Sequence, residues 1–381
     1  MRQKLRDTER RSLSYKMIKS NDLVLEFRSI HTEIMSAIEN VLHKGNYILG
    51  QQVEEFEKEF SDYINVKHTI GVNSGTDALF IALTALGIGP GDEVITVAHT
   101  FISTVDSITR NGASPILVDI DKDTFCIDPE KVKSRITQKT KAIIPVHLYG
   151  HPADMEPILD LAQKHGLYVI EDASQAHGGL YKKQKIGGIG HLGCFSFYPI
   201  KNLGAYGDAG AIVTNDDSLE KKIRMLRNYG RSGRYIHEFV GINSRLDELQ
   251  ATVLRVKLRH LDAWIEKRRN ISKEYSNELK GLPIALPVEK DYAKHAYHLY
   301  VIRSKEREKL LKGMEKLNIP VAVHYPVPVH KQNAYSQKLS GISLPETEEA
   351  CSQILSLPMH PFLKSDEIKT IAQTIRDCLN F

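Results

Sequence analysis

One lysine, Lys201, stands in the stretch FSFYPIKNLGAYGDAG between Phe195 and Gly210, with aromatic and apolar residues before it and a glycine-rich turn after it. Most lysines are solvated surface charges. Here the run Cys194-Phe195-Ser196-Phe197 alternates large apolar and small residues as a short strand does, and Ala209 to Thr214 reads as a second strand. Lys201 therefore lies in a loop pinned between strands. Loops held by a rigid sheet are where reacting groups concentrate, and an amine in a partly desolvated pocket is a usable nucleophile at neutral pH.

Two other stretches could serve the same chemistry. In GVNSGTDALFIAL, the residues Asn73-Ser74-Gly75-Thr76 fall between a strand and a helix. Free amides and the positive end of a helix dipole make such a turn either an anion cradle or an ordinary helix cap, and Gly75 permits close backbone approach. In VIEDASQAHG a Val/Ile strand ends in Glu171-Asp172, followed by Gln175. Ligands of open α/β sheets collect at the carboxyl ends of strands. A carboxylate there needs a cation: an arginine, a helix terminus, or the protonated nitrogen of a pyridine ring. Ser196, five residues before Lys201, adds a hydroxyl. Anchor, ring-nitrogen partner and amine are together the three fixed points required to hold pyridoxal 5'-phosphate.

Two other motifs lack the context they need. GIGHLG, Gly188 to Gly193, matches G-x-G-x-x-G but follows a polar turn and precedes a strand, the reverse of a dinucleotide site. His147 and His151 have the spacing of a metal pair but straddle Gly150 and precede Pro152, so no helix carries them. No metal site is expected.

The elements that must position these residues follow from periodicity. Helical spacing runs from about Phe27 to Leu42, stopping at Gly45, and from Val53 to Tyr63. Strand-like runs then alternate with helical ones: HTIGV, Thr76 to Leu86, DEVITV, Phe101 to Arg110, SPILVDI, KAIIPVHLYG, Met155 to His165 and LYVIEDA. Near-continuous Val/Ile runs separated by helices predict an α/β fold, a mostly parallel sheet covered on both faces. A long helix is expected from Arg245 to about Leu279. Beyond Pro283, HLYVIR, a helix through Met314, VAVHY and a terminal helix from about Asp366 predict a smaller α+β domain. The expected division is a disordered extension over 1–16, a large domain over 17–264 and a small C-terminal domain over 265–381.

With 381 residues and 41% hydrophobic content the chain can bury such a core, and a net charge of +4 leaves no nucleic-acid footprint. No apolar run approaches the roughly 20 residues of a membrane span. The basic start MRQKLRDTERRSLSYK has no apolar segment behind it to make a signal peptide. Four cysteines without C-x-x-C spacing favour a reducing cytoplasm.

In order along the chain, NSGTDAL, PGDEVITVAHTFIST, IPVHLYG, VIEDASQAHG, FSFYPIKNLGAYGDAGAIVTND and GINSRLDELQ resemble the sugar aminotransferases of the DegT/DnrJ/EryC1/StrS family. The resemblance implies a fold-type-I enzyme dependent on pyridoxal 5'-phosphate and a homodimer with sites shared at the subunit interface. By motif, Lys201 resembles the Schiff-base lysine and Asp172 the partner of the pyridine nitrogen. Gln175 is similar to the neighbour of the ring hydroxyl, Gly75, Thr76 and Ser196 to phosphate contacts, and Phe101 to the ring-stacking aromatic. Asn243, in GINSRL, resembles the asparagine that reaches the neighbouring subunit's phosphate. The implied reaction moves an amino group from L-glutamate to a nucleotide-linked ketosugar. Similarity is greatest to transaminases of dTDP-3-keto-6-deoxyhexoses, with a 4-ketosugar or a UDP-linked 3-ketosugar as the alternative. His177, Tyr198, His324, Tyr325 and His330 are the sugar-facing candidates. A regulatory protein that binds the cofactor without turnover is the reading from another class.

Overall fold

The computed structural model describes residues 18–381, so the extension expected over 1–16 lies outside the described residues. The Val/Ile runs form a seven-stranded sheet. Its strands are β1 (His68–Val72), β2 (Glu93–Val97), β3 (Ser114–Val118), β4 (Thr140–Ile143) and β5 (Tyr168–Asp172). After the short hairpin β6 (Leu180–Tyr181) and β7 (Gln184–Lys185) come β8 (Leu192–Ser196) and β9 (Gly210–Thr214). The spatial order is β1-β9-β8-β5-β4-β2-β3. β2 pairs in parallel with β3 and β4, and β5 with β4 and β8, while β9 runs against both of its neighbours. The chain thus has the mostly parallel, α/β architecture expected from its patterning.

Both faces of the sheet are covered. Val72, Ile170, Cys194 and Ile212 pack with Leu79 and Leu83 of the helix Gly75–Ala85. Opposite them Val97, Ile143, Val169 and Phe195 meet Phe56 and Phe60 of the helix Gln51–Ile64. Buried Glu57 on that helix accepts from the Gly71 amide at 2.8 Å and from Arg227 at 2.6 Å, fixing β1 against it.

A second apolar cluster collects Tyr275, Tyr300, Met314, Leu355 and Ile371. It is built by β11 (Tyr300–Arg303), antiparallel to β12 (Ile354–Leu357), with the terminal helix Ser365–Leu379 beside them; the two-residue β10 (Ala293–Lys294) instead joins the β6–β7 hairpin. The helix Leu261–Glu278 joins the parts: Leu261 and Ile265 belong to the main core, Ile271 and Tyr275 to the second. A division at 264/265 therefore falls inside a continuous helix.

Three elements differ from the expectation. The helix expected over 27–42 is two, Leu23–Ser29 and His31–Lys44, the second closing on Gly45 at φ 65°. The helix expected from Arg245 is also two, Glu248–Leu258 and Leu261–Glu278. The apolar rhythm does not mark the break, because Leu254, Leu258, Leu261 and Ile265 pack on one core across it at spacings of three and four. VAVHY forms only a bridge from Ala322 to Ser356, and the partner strand Ile354–Leu357 carried no period-two signal because every one of its residues is buried.

Candidate active site

The loop between β8 and β9 is closed by backbone bonds from Phe197 N to Ala209 O and from Ala205 N to Phe197 O, each 2.8 Å. Lys201 is at its centre, its amide donating to Tyr198 O at 2.8 Å. Its amine makes no hydrogen bond among the described residues and lies on the wall of a cavity of about 950 Å³. Burial pushes the amine down to about 8, against the opposing pull of the Asp172 carboxylate. Enclosure thus outweighs the nearby negative charge and favours the nucleophilic form.

Asp172 ends β5, where alternation sends adjacent residues to opposite faces. Asp172 reaches the cavity, accepting from Thr104 Oγ1 at 2.8 Å and from the Ser174 amide at 3.2 Å. It is 6% exposed and its hydrogen-bond donors are neutral. Glu171 turns away and is fully enclosed. Its carboxylate accepts the amides of Gly187, Ile189 and Gly190 at 2.7–2.8 Å and meets His147 Nε2 at 3.1 Å. Gly187 and the start of the GIGHLG stretch are therefore an amide nest for the chain's own carboxylate. His147 is occupied there, and His151 contacts Pro152 O at 2.7 Å.

The opposite wall begins where β1 gives way to the helix Gly75–Ala85. Ser74 caps that helix by accepting from the Asp77 amide at 3.1 Å. The first-turn amides of Gly75 and Thr76 carry no bond among the described residues. A Cβ on Gly75 would come 2.6 Å from Ser196 Cβ, and one on Gly210 would come 2.4 Å from Ser74 C. These two glycines let the turn close up on β8 and β9 beneath the cavity. Thr76 Oγ1 is 2.8 Å from Ser103 Oγ, and Phe101, 54% exposed, has its ring 5.8 Å from that of Tyr325.

Gly75, Thr76, Asp172, Gln175, Ser196 and Lys201 all line this one cavity, with Phe101 at its side. Gln175 is fixed at both ends, accepting from Tyr149 N at 2.8 Å and donating to Tyr325 Oη at 3.1 Å. Tyr198, His324 and Tyr325 also line it.

Three expected residues stand apart from the wall. His177 is enclosed against Phe195 and Phe197, where burial drives its imidazole down to about 3. His330 is buried against Glu348, 3.1 Å away, whose carboxyl is held down to about 2 chiefly by Lys331. Asn243 is exposed and bridges Asn228, while its neighbour Ser244 accepts from Asn73 N at 3.2 Å beside the glycine turn.

Other residues also form the wall without being among those expected from the sequence: Thr104 and Ser174 on Asp172, His298, and the segment from Lys19 to Val24. Thr104 lies within TFIST, and its place in the first turn of the helix Ser103–Arg110 is the available signal. Nothing in the sequence pattern brings 19–24 to a strand end.

A model of the DegT/DnrJ/EryC1/StrS aminotransferase family matches residues 28–376. The chain belongs to this family. It is 45% identical over 358 residues to dTDP-3-amino-3,4,6-trideoxy-alpha-D-glucose transaminase of Streptomyces venezuelae, covering 93% of this chain and 94% of that protein. It is also 45% identical, over 360 residues, to a protein of Geobacillus stearothermophilus named pleiotropic regulatory protein, covering 93% and 97% respectively. The solved structure of S. venezuelae DesV in complex with a ketimine intermediate superposes with a TM-score of 0.94 at 44% identity, covering 96% of this chain and 99% of that one. As a member, the chain is an aminotransferase of fold type I. Among the described residues no helix is long and apolar enough to cross a membrane.

Proposed function

We propose that this aminotransferase holds pyridoxal 5'-phosphate and moves an amino group from L-glutamate to a nucleotide-linked ketosugar, a dTDP-3-keto-6-deoxyhexose, as a cytoplasmic homodimer with shared sites. The observation that carries the reading is the convergence of Lys201, Asp172 and the glycine turn on one cavity. The residues fit the cofactor. The turn offers unpaired amides at a helix N-terminus in a cradle that a Cβ at Gly75 would fill. Asp172 has a carboxylate hydrogen-bonded to neutral donors, suited to a pyridinium proton. Phe101 presents an open aromatic face.

Bound there, pyridoxal phosphate supplies an aldehyde carbon and an electron sink. Gly75, Thr76 and Ser196 would bind its phosphate. Asp172, steadied by Thr104 and Ser174, would keep a proton on the ring nitrogen, and Gln175 would serve the ring hydroxyl. The Lys201 amine, mostly unsolvated, would be the covalent anchor and, once displaced by the amino substrate, would take a proton from the substrate carbon and return it. Tyr198, His324 and Tyr325 face the substrate space.

Amination at C3 is favoured over C4 by the Streptomyces relative's substrate. The regulatory alternative has relatives' names behind it, the Geobacillus one among them; a protein that only binds the cofactor would also use Lys201 as its anchor, so turnover is what separates the two readings. The test is incubation with glutamate and a panel of dTDP- and UDP-linked 3- and 4-ketosugars, with mass detection of the aminated product. Formation of the dTDP-3-amino sugar is expected. Cofactor binding with no product from any ketosugar would reject the reading.

A further inference from the structure

We propose that His298 is a substrate-binding residue whose imidazole hydrogen-bonds a hydroxyl of the sugar ring beside Lys201. The inference rests on the ketosugar reading above. His298 lies on the cavity wall with Lys201, Asp172, His324 and Tyr325. It is 4% exposed, its Nδ1 is buried with no partner, and neither ring nitrogen makes a hydrogen bond among the described residues. Leaving such a group unpaired is costly, and two other buried imidazoles of this fold, His147 and His151, are paired at both nitrogens. His147 meets Glu171 with one nitrogen and accepts from Ala153 N at 3.0 Å with the other. His151 meets Pro152 O and the Lys290 amide. His177 is as unpartnered as His298 but is walled off from the cavity.

The backbone beneath His298 is rigidly held. Ala296 N donates to Gly150 O at 2.9 Å and Leu299 N to Tyr149 O at 3.2 Å. Buried Arg268 donates from Nη1 to Tyr297 O, His298 O and Met359 O at 3.0–3.3 Å. Asn202, next to Lys201, donates to Ala296 O at 3.0 Å. The amine and the imidazole are thus mounted on segments tied to each other, as two groups that must meet one ligand require.

The chemistry of the ligand follows from charge. Burial keeps His298 well below the ordinary histidine range, reinforced by the positive Lys201 and Arg268 and by the neighbouring His324 and His177. The ring is neutral, with one N–H to donate and one lone pair to accept. The two carboxylates of an amino donor call for cations, whereas a sugar hydroxyl is matched by a group that both donates and accepts.

The test uses the cofactor-loaded enzyme, with dTDP-3-amino-3,6-dideoxy-α-D-glucose as probe. Its affinity is measured by isothermal titration, and the glutamate and sugar half-reactions are followed separately by absorbance. His298→Phe, of similar size and without a polar atom, should weaken probe binding about tenfold while the glutamate half-reaction changes less than twofold. His298→Asn, which keeps a donor and an acceptor, should recover part of the loss, and it carries the test alone if the Phe variant does not fold. Equal losses in both half-reactions, or wild-type probe affinity in the variants, would overturn the assignment. A wild-type enzyme that reacts with glutamate yet binds no nucleotide amino sugar would instead overturn the ketosugar reading beneath it.

Discussion

In cofactor-free protein the Lys201 amine should titrate near pH 8 rather than near the ordinary lysine value of 10.5. At about 1.36 kcal/mol per unit that depression is worth about 3 kcal/mol. At pH 7.5 roughly a quarter of the amine is then neutral, against about one part in a thousand for a free lysine, so a reagent seeking the free amine meets over ~200-fold more of it. Acetylation of cofactor-free protein over pH 6 to 11, read by mass from the Lys201 peptide, measures the midpoint. Asp172→Asn removes the one attraction that opposes burial and should move the midpoint lower still. The stability linkage has a definite sign. Below pH 8 the native state holds a buried ammonium at a cost, and between about 8 and 10.5 the unfolded chain binds more protons than the folded one. Relative to Lys201→Met, cofactor-free wild type should therefore gain up to about 3 kcal/mol as pH rises through that window. A midpoint near 10, or an upward shift in Asp172→Asn, would refute the reasoning.

Gly75→Ala places a Cβ 2.6 Å from Ser196 Cβ, so the turn must open; cofactor retention on dialysis, followed by absorbance, should fall at least ~10-fold, and full retention would remove the turn from the phosphate site. Lys201→Ala and Asn243→Asp, each inactive alone, should give mixed dimers with about half of wild-type activity if Asn243 serves the neighbouring subunit, because one of the two sites then carries neither lesion. No recovery in verified hybrids would assign Asn243 to its own subunit, where Ser244 already borders the glycine turn.

Legibility in the sequence followed the range of the interaction. The sheet could be read because buried parallel strands leave near-continuous Val/Ile runs, and the helix Met155–His165 was placed to the residue because Gly166 ends it at φ 64°. Asp172 at a strand end, Gly75 at a strand-to-helix turn and Lys201 in a glycine-bounded loop each lie beside local punctuation, and the structure brings all three to one cavity. His177 and His330 lie off the cavity wall, a placement the sequence does not record because an imidazole beside aromatics or acids has the same local sequence whether it faces a cavity or a core. Thr104, Ser174, His298 and the segment from Lys19 reach the site through tertiary packing, which no local period records.

Adjacent acids on one strand, Glu171 and Asp172, have opposite duties. One is locked into three backbone amides and a histidine behind the sheet, the other faces the cavity. A mutational scan scored by activity alone would record both positions as dead and credit Glu171 with chemistry it never touches. It is a register pin: sliding β5 by one residue would turn Glu171 to the cavity face and Asp172 to the face that carries the amide nest. Evolution of new substrate preferences in such a scaffold is thereby channelled away from this strand and toward the loops that wall the cavity, where a change alters what binds without altering which carboxylate faces it.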